Sequence, residues 1–404
     1  MKGIIAPYRG LPVPVYVLFV SRIINRMGDF VSIFLTLYLS RYLGFSEKQT
    51  GLILSLVGLS MMSGALLGGK LTDLAGRKKI MLGLQAMAAA SVLICGFIPD
   101  SPALPGLLIL FTFFNGAVRP VNTALLTDLT TQKNRAAAFS LLYLGINIGI
   151  SAGPILAGFL FNNYRRWIFW GDGLTTLLTI LLILILIPEP EECSGKTEAG
   201  EHVEEGSSLK ALLGRPILAI YTILSIFSAL IYAQTTFTLP LQMLHVFDEK
   251  GPRLFGLIMS FNAVVVLIVT PLQNYYMKDI RPLRRIALGQ VLYSLGFGLL
   301  IVPVHTLSWF FFSTFIWTCG EVLDATNSGV FVANHSPRNH RGRFNSFFLI
   351  SKGAGRSLAP LISGLVLESL GISYIWGLCL FLGFFLFMAM NSLDKKDQRM
   401  LVEI

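Results

Sequence analysis

Long apolar runs alternate with short polar ones along the whole chain. Twelve runs can be marked, near 14–40, 49–71, 79–99, 103–127, 136–161, 167–188, 213–240, 253–277, 283–303, 306–333, 343–368 and 372–393. Each is about the 20 residues that an α-helix needs to cross the hydrocarbon core of a bilayer. They are too long and too poor in charge to be barrel strands, which alternate over about ten residues. A backbone in lipid must satisfy its own polar groups, so the runs predict helices. The fold expected is all-α and integral to the membrane, with twelve transmembrane helices. The first run starts late and lacks a small-residue cleavage site, so no signal peptide is predicted.

The polar stretches set the organisation. The longest, Glu189 to Ser208, holds seven glutamates and three glycines and has no apolar run. It reads as a flexible cytoplasmic connector, either a passive linker or a regulatory segment. It divides the chain into residues 1–188, an acidic linker 189–212, and residues 213–404. A constant offset of 206 residues aligns the two halves without a gap. Asp73 then falls on Asp279, Lys78 and Lys79 on Arg284 and Arg285, Gly83 on Gly289, Arg135 on Arg341, Gly149 on Gly355, Pro154 on Pro360 and Gly158 on Gly364. Two pseudo-symmetric six-helix lobes are implied. Transporters built from parallel repeats hold their substrate near mid-membrane between the halves; a duplicated channel or scaffold is the competing expectation.

Composition agrees. Hydrophobic residues make up 54% of the 404 residues and charged ones 13%, against about 25% charged in soluble chains. The net charge of +10 would suggest nucleic acid in a soluble protein, but here its placement decides. With both termini inside, cytoplasmic segments hold 21 Lys and Arg and outer segments six. That is the positive-inside bias of a multi-pass protein, and it argues against nucleic-acid binding. The compact loops suggest a bacterial plasma membrane. Cys95, Cys193, Cys319 and Cys379 fit no metal or disulfide spacing, and the five histidines form no ligand set. No phosphate-binding loop or enzyme motif is present. The expectation is a protein that is not an enzyme, without metal or cofactor, monomeric in the bilayer, taking a small molecule and driven by an ion gradient.

The turn Gly69-Lys-Leu-Thr-Asp73-Leu-Ala-Gly76-Arg77-Lys78-Lys79, between two membrane-length runs, carries a family resemblance. Gly69, Leu71, Asp73, Gly76, Arg77 and Lys78 resemble the signature between helices two and three of the major facilitator superfamily. Length, twelve spans, a long central loop and a weaker second copy match as well. The resemblance implies alternating access by two lobes, with this turn at a cytoplasmic gate. Asp73 is placed to face a helix N-terminus or an arginine of the other lobe, with Arg343 as candidate partner, and Asp128 is expected to pair with Arg77. The other reading of the turn is a plain topology signal.

Gly149-Ile-Ser-Ala-Gly153-Pro154-Ile-Leu-Ala157-Gly158 resembles the antiporter signature of the superfamily's drug exporters, with Ala157 in place of one glycine. Small residues four apart let helices pack closely, and Pro154 bends the helix; ordinary packing would use the same residues. Exporters of this type also show Arg-x-x-Gln-Gly in span four. Here the stretch is Thr112-Phe-Phe-Asn115-Gly116, so the arginine is missing, and Arg119, further along the same helix, is its candidate substitute.

Charged residues inside spans cost about 2.5–3.5 kcal/mol on insertion scales and mark pathways or paired sites. Arg22, Arg26 and Asp29 share one face of span one, with Asn25 beside them. Asp172 sits in span six, near an outer interface by its place in the sequence. Glu321 and Asp324 lie in span ten, and Lys352 and Arg356 in span eleven. The resemblance implies that spans one, four, seven and ten line the cavity. Glu321 resembles the acid of a Gly-Glu pair in multidrug exporters of Gram-positive bacteria. It is the first proton-coupling candidate, with Asp29 and Asp324 after it; a structural pair of Glu321 with Lys352 or Arg356, and neutralisation of Asp29 by Arg26 or Arg119, are the alternatives. Cavity candidates are Arg22, Asn25, Arg26, Asn115, Arg119, Tyr232, Gln234, Lys352 and Arg356. Tyr221, Phe227 and Phe237 form either an amphipathic wall or packing. The surplus of bases keeps anionic and zwitterionic cargo open.

The expected function is a proton-coupled antiporter exporting a small amphipathic molecule or drug. A symporter or uniporter for an anionic or zwitterionic solute is the second reading, and a non-transporting membrane sensor or scaffold the third.

Overall fold

A computed structural model of the chain describes residues 8–72, 76–99, 101–131, 134–188, 215–277, 279–304, 306–336 and 341–402. Among these residues the chain forms helices and turns, with no strand. In chain order the helices are α1 (Val13–Met27), α2 (Phe30–Arg41), α3 (Glu47–Thr72), α4 (Arg77–Phe97), α5 (Leu104–Asp128), α6 (Arg135–Asn163) and α7 (Arg166–Leu186). They continue as α8 (Pro216–Ala233), α9 (Thr238–Phe247), α10 (Gly251–Tyr276), α11 (Pro282–Gly298), α12 (Leu307–His335), α13 (Arg341–Leu370) and α14 (Ile372–Val402).

Each predicted run coincides with one helix, except the first and seventh, which are each built from two. Proline occupies the first turn of α1, α5, α8 and α11, where its missing N–H is an orphan donor anyway. Among the described residues, seven stretches are long and apolar enough to cross a membrane on length and composition alone, one of them running from Pro216 to Gln273. Those outside that set include α1 and α2, shortened by the break, and α12 and α13, which carry Glu321, Asp324, Lys352 and Arg356. The outward faces are apolar: Ile185, Phe381 and Phe384 are exposed, as suits side chains in lipid rather than water.

The described helices fall into two compact units. The first lies within Met1–Gly44, Leu56–Gly195 and Met243–Ala263, the second within Phe45–Ser55, Lys196–Gln242 and Val264–Ile404. The start of α10 thus groups with first-half helices and the start of α3 with second-half ones. Glycine explains both. A Cβ on Gly256 would overlap the Pro154 carbonyl of α6, and one on Gly51 would overlap the Pro360 carbonyl of α13. Pro154 and Pro360 are equivalent under the 206-residue offset, so the same close crossing is built in each unit. The acidic linker 189–212 lies outside the described residues.

Both broken spans break at the same place. The offset carries Met27, the last residue of α1, onto Ala233, the last of α8.

Candidate functional site

Within the first unit the polar residues gather where α1 gives way to α2. Gly28 N–H closes the last turn of α1 on the Ile24 carbonyl at 3.1 Å, and Phe30 N–H turns back to the Gly28 carbonyl at 2.7 Å. Gly28 is required there, because a Cβ would overlap the Thr175 side chain of α7. The antiporter-like helix presses on the same point: a Cβ on Gly149 would lie 2.6 Å from the Arg26 Cβ, and one on Gly153 would lie 2.8 Å from the Met27 carbonyl. Further along α6, Gly158 is packed against Pro252 and Arg253 at the start of α10. The small residues of the signature therefore serve two crossings, one on the break and one on α10.

Asp29 precedes α2 but makes no capping bond with its side chain. Its carboxylate pairs instead with Arg26 Nη1 at 2.6 Å, both side chains 21% exposed. The start of α2 is served from α7, where Asp172 Oδ2 accepts the Val31 N–H at 3.3 Å. Asp172 is 4% exposed; α7 packs along α1, α2 and α4 and encloses it. Arg22 donates to the Asn122 amide oxygen of α5. Asn25 and Asn115 are half-buried and Arg119 is exposed on α5.

At the turn before α4, Arg77 Nε stands 3.1 Å from Asp128 Oδ2, with side chains 40% and 28% exposed, the pairing expected from the sequence. Lys78 Nζ donates to the Leu184 and Ile187 carbonyls at 3.1 and 2.6 Å, a cation on the C-terminal carbonyls of α7. A Cβ on Gly69 would meet open space, and Gly76 precedes α4 as its N-cap. Asp73 and the side chain of Arg343 lie outside the described residues.

Within the second unit the acids of α12 take different partners. Asp324 is locked: Lys352 Nζ donates to Oδ2 at 2.6 Å, and Ser328 Oγ and Gln290 Nε2 approach Oδ1 at 3.3 and 3.4 Å. Glu321 Oε1 accepts the Tyr232 hydroxyl at 2.7 Å. Arg356 lies over the Tyr232 ring, 5.7 Å from its centroid. Glu321, Asp324, Tyr232, Lys352 and Arg356 are thus brought into one cluster, and Lys352 pairs with Asp324.

Gln234 occupies the seventh-span break and is 1% exposed. Its amide donates to the Leu230 carbonyl at 3.1 Å and accepts the Thr238 and Ser363 hydroxyls at 2.6 and 3.0 Å. Tyr221 and Phe237 are core residues at 0% and 1% exposure, with the Tyr221 hydroxyl on Ser328 Oγ. Both fit the packing alternative, Tyr221 on the buried face of α8 and Phe237 in the turn that follows it.

One cluster has no counterpart in the sequence reading. Arg281 reaches Asp394 and Asp397 of α14, and His335 Nε2 meets Asp397 Oδ1 at 2.8 Å. The residues are 62 to 116 apart in sequence, so no local pattern announced them. The partnership of Arg22 with Asn122, 100 residues away, was equally invisible.

The family model of the Major Facilitator Superfamily matches residues 18–323. The uncharacterized MFS-type transporter YhjO of Bacillus subtilis (strain 168) is 25% identical over 378 residues, covering 91% of this chain and 90% of that protein. A Na(+), Li(+), K(+)/H(+) antiporter of Planococcus maritimus is 21% identical over 361 residues, covering 81% and 83%. The crystal structure of the nucleoside transporter NupG shares the fold with a TM-score of 0.77 at 17% identity, covering 95% of this chain and 100% of that one.

Proposed function

The chain belongs to the major facilitator superfamily and is a multi-pass secondary transporter, and from that premise we propose that it is a proton-coupled antiporter exporting a small amphipathic molecule. Its setting is a bacterial cytoplasmic membrane, with both termini inside and the Arg77–Asp128 turn at the cytoplasmic gate. It needs no cofactor.

The contact between Glu321 and Tyr232 carries this reading. A phenol donates to a carboxylate and accepts from a carboxylic acid, so the contact survives both protonation states. Asp324 differs: protonating it would abandon a buried ammonium at 2.6 Å. Of the two acids on α12, Glu321 is therefore the one suited to exchange a proton and Asp324 the one suited to hold structure. Arg356 over the same Tyr232 ring ties the exchanging acid to a cationic, aromatic surface where an amphipathic molecule can compete with the proton. The glycine-rich helix α6 and the name of the Planococcus relative favour exchange over uniport.

The test begins with purified protein and a panel of amphipathic cations, anions and zwitterions scored by thermal stabilisation. The best binder is then followed in proteoliposomes under an imposed pH gradient. Movement against the proton flow is expected, and Glu321→Gln should abolish the pH-driven part while binding and folding persist. Accumulation together with protons would establish symport instead, and normal coupling in Glu321→Gln would remove Glu321 from its role.

A further inference from the structure

We propose that Asp172 is a second proton-binding carboxyl of this transporter, seated against the break in the first span and controlling how the start of α2 is held. The proposal rests on the proton-coupled reading above and adds a site in the other unit.

Three observations carry it. First, Asp172 is 4% exposed within a helix of the membrane domain, and no Lys, Arg or His among the described residues comes within ion-pair distance of it. Second, its electrostatic neighbours are Asp29 and Arg26, and Arg26 is already bonded to Asp29. Two carboxyls share one guanidinium, and a buried surplus negative charge is expensive. A proton on Asp172 removes it. Third, Asp172 accepts the N–H of Val31, one of the orphan amides of the first turn of α2. An ionised Asp172 strengthens that bond and repels Asp29; a protonated one relaxes both. The proton therefore sets the junction between α1 and α2, the joint on which Gly149 and Gly153 pack.

One more base lies further off on α1, Arg22, which is bonded to Asn122 of α5. Between Phe30 and Arg41, α2 brings Tyr38 as its titratable side chain, with Arg41 at its far end, and between Ile80 and Phe97, α4 brings Cys95. α1 contributes Arg26, and the break contributes Asp29. The geometry favours a proton over a metal ion, because a hard cation wants six or so oxygens and Asp29 is committed to Arg26.

The experiment compares wild type, Asp172→Asn and Glu321→Gln as full-length protein in lipid nanodiscs. Asparagine keeps an oxygen for the Val31 N–H, so folding is preserved. Infrared difference spectra at neutral pH should show a protonated carboxyl band that Asp172→Asn deletes and Glu321→Gln keeps. Thermal stability should follow the sign of linkage: a native state holding the extra proton loses stability as pH rises and that proton is lost. Wild type and Glu321→Gln should show that fall, and Asp172→Asn should flatten it. An unchanged spectrum and pH slope in Asp172→Asn would overturn the proposal. So would stabilisation by NaCl over choline chloride that Asp172→Asn abolishes, which would make the site one for sodium. Normal pH-driven flux in Glu321→Gln, with the Asp172 band in place, would sink the assignment of Glu321 and leave this one standing.

Discussion

The first and seventh spans break at equivalent residues, yet the two breaks are built from different chemistry. Gly28 and Asp29 correspond to Gln234 and Thr235 under the 206-residue offset. The seventh-span break is neutral: one buried amide satisfies the Leu230 carbonyl and two hydroxyls. The first-span break is charged, with Arg26, Asp29 and Asp172 around it. Since a glutamine suffices to break a span in this fold, charge is not needed for the break itself. The same asymmetry runs through the rest of the polar interior. Arg26 corresponds to Tyr232, Asn115 to Glu321, Val118 to Asp324 and Asp172 to Leu378. The helices correspond between the halves and the ionisable groups differ, as expected if each half has its own part in transport.

The strongest blow to this comparison falls on the second unit. Lys352→Met leaves Asp324 buried without its cation, which should cost about 3–5 kcal/mol. A large fall in the unfolding midpoint in detergent is expected, with most of it recovered in Lys352→Met/Asp324→Leu. If the single variant unfolds like wild type, Asp324 is not a fixed structural charge and its distinction from Glu321 collapses. A smaller effect is expected at the first break. Gly28→Ala forces a methyl into Thr175, an overpacking cost of about 1–3 kcal/mol. The same measurement checks it, and Gln234→Ala provides the comparison at the second break. There the loss should come from stranded hydroxyls at about 1 kcal/mol. Tolerance of Gly28→Ala would mean that α7 is not pressed on the joint.

How much of this was legible in the sequence depends on the distance over which a residue acts. Apolar runs and positive-inside charge are local or cumulative, and they specify the helices; the family resemblance rested on the Gly69–Lys79 turn. The Arg77–Asp128 pair was readable because the turn resembles a known signature. The two breaks were not: Gly28 is one of 38 glycines, and its role depends on Thr175, which is 147 positions away in the chain and meets it only through packing. Asp172 was recognisable as a costly intramembrane acid, but its burial comes only from the packing of α1, α2 and α4 around it. The partners of Glu321 and Asp324 were ambiguous for the same reason. Four bases and acids one helical turn apart on neighbouring helices allow several pairings, and the Tyr232 hydroxyl, a neutral donor, leaves no charge pattern to follow.

The smallest effect on stability should come from the turn before α4, and it sharpens the contrast between structural and working charges. Arg77 and Asp128 are 40% and 28% exposed, so water and salt screen them, and exposed pairs contribute about 0.2–1 kcal/mol. Arg77→Ala should therefore unfold within about 1 kcal/mol of wild type, and added salt should narrow that gap further. Its transport rate should nonetheless fall by up to about fivefold, since a shift of about 1 kcal/mol between two conformations changes their ratio about fivefold. Asp128→Ala should behave alike, and the double variant should be no worse than either single one, because the second substitution removes a partner already lost. Equal losses of stability and rate, or additive losses in the double variant, would make this pair ordinary surface chemistry and leave the working charges to the interior of the two units.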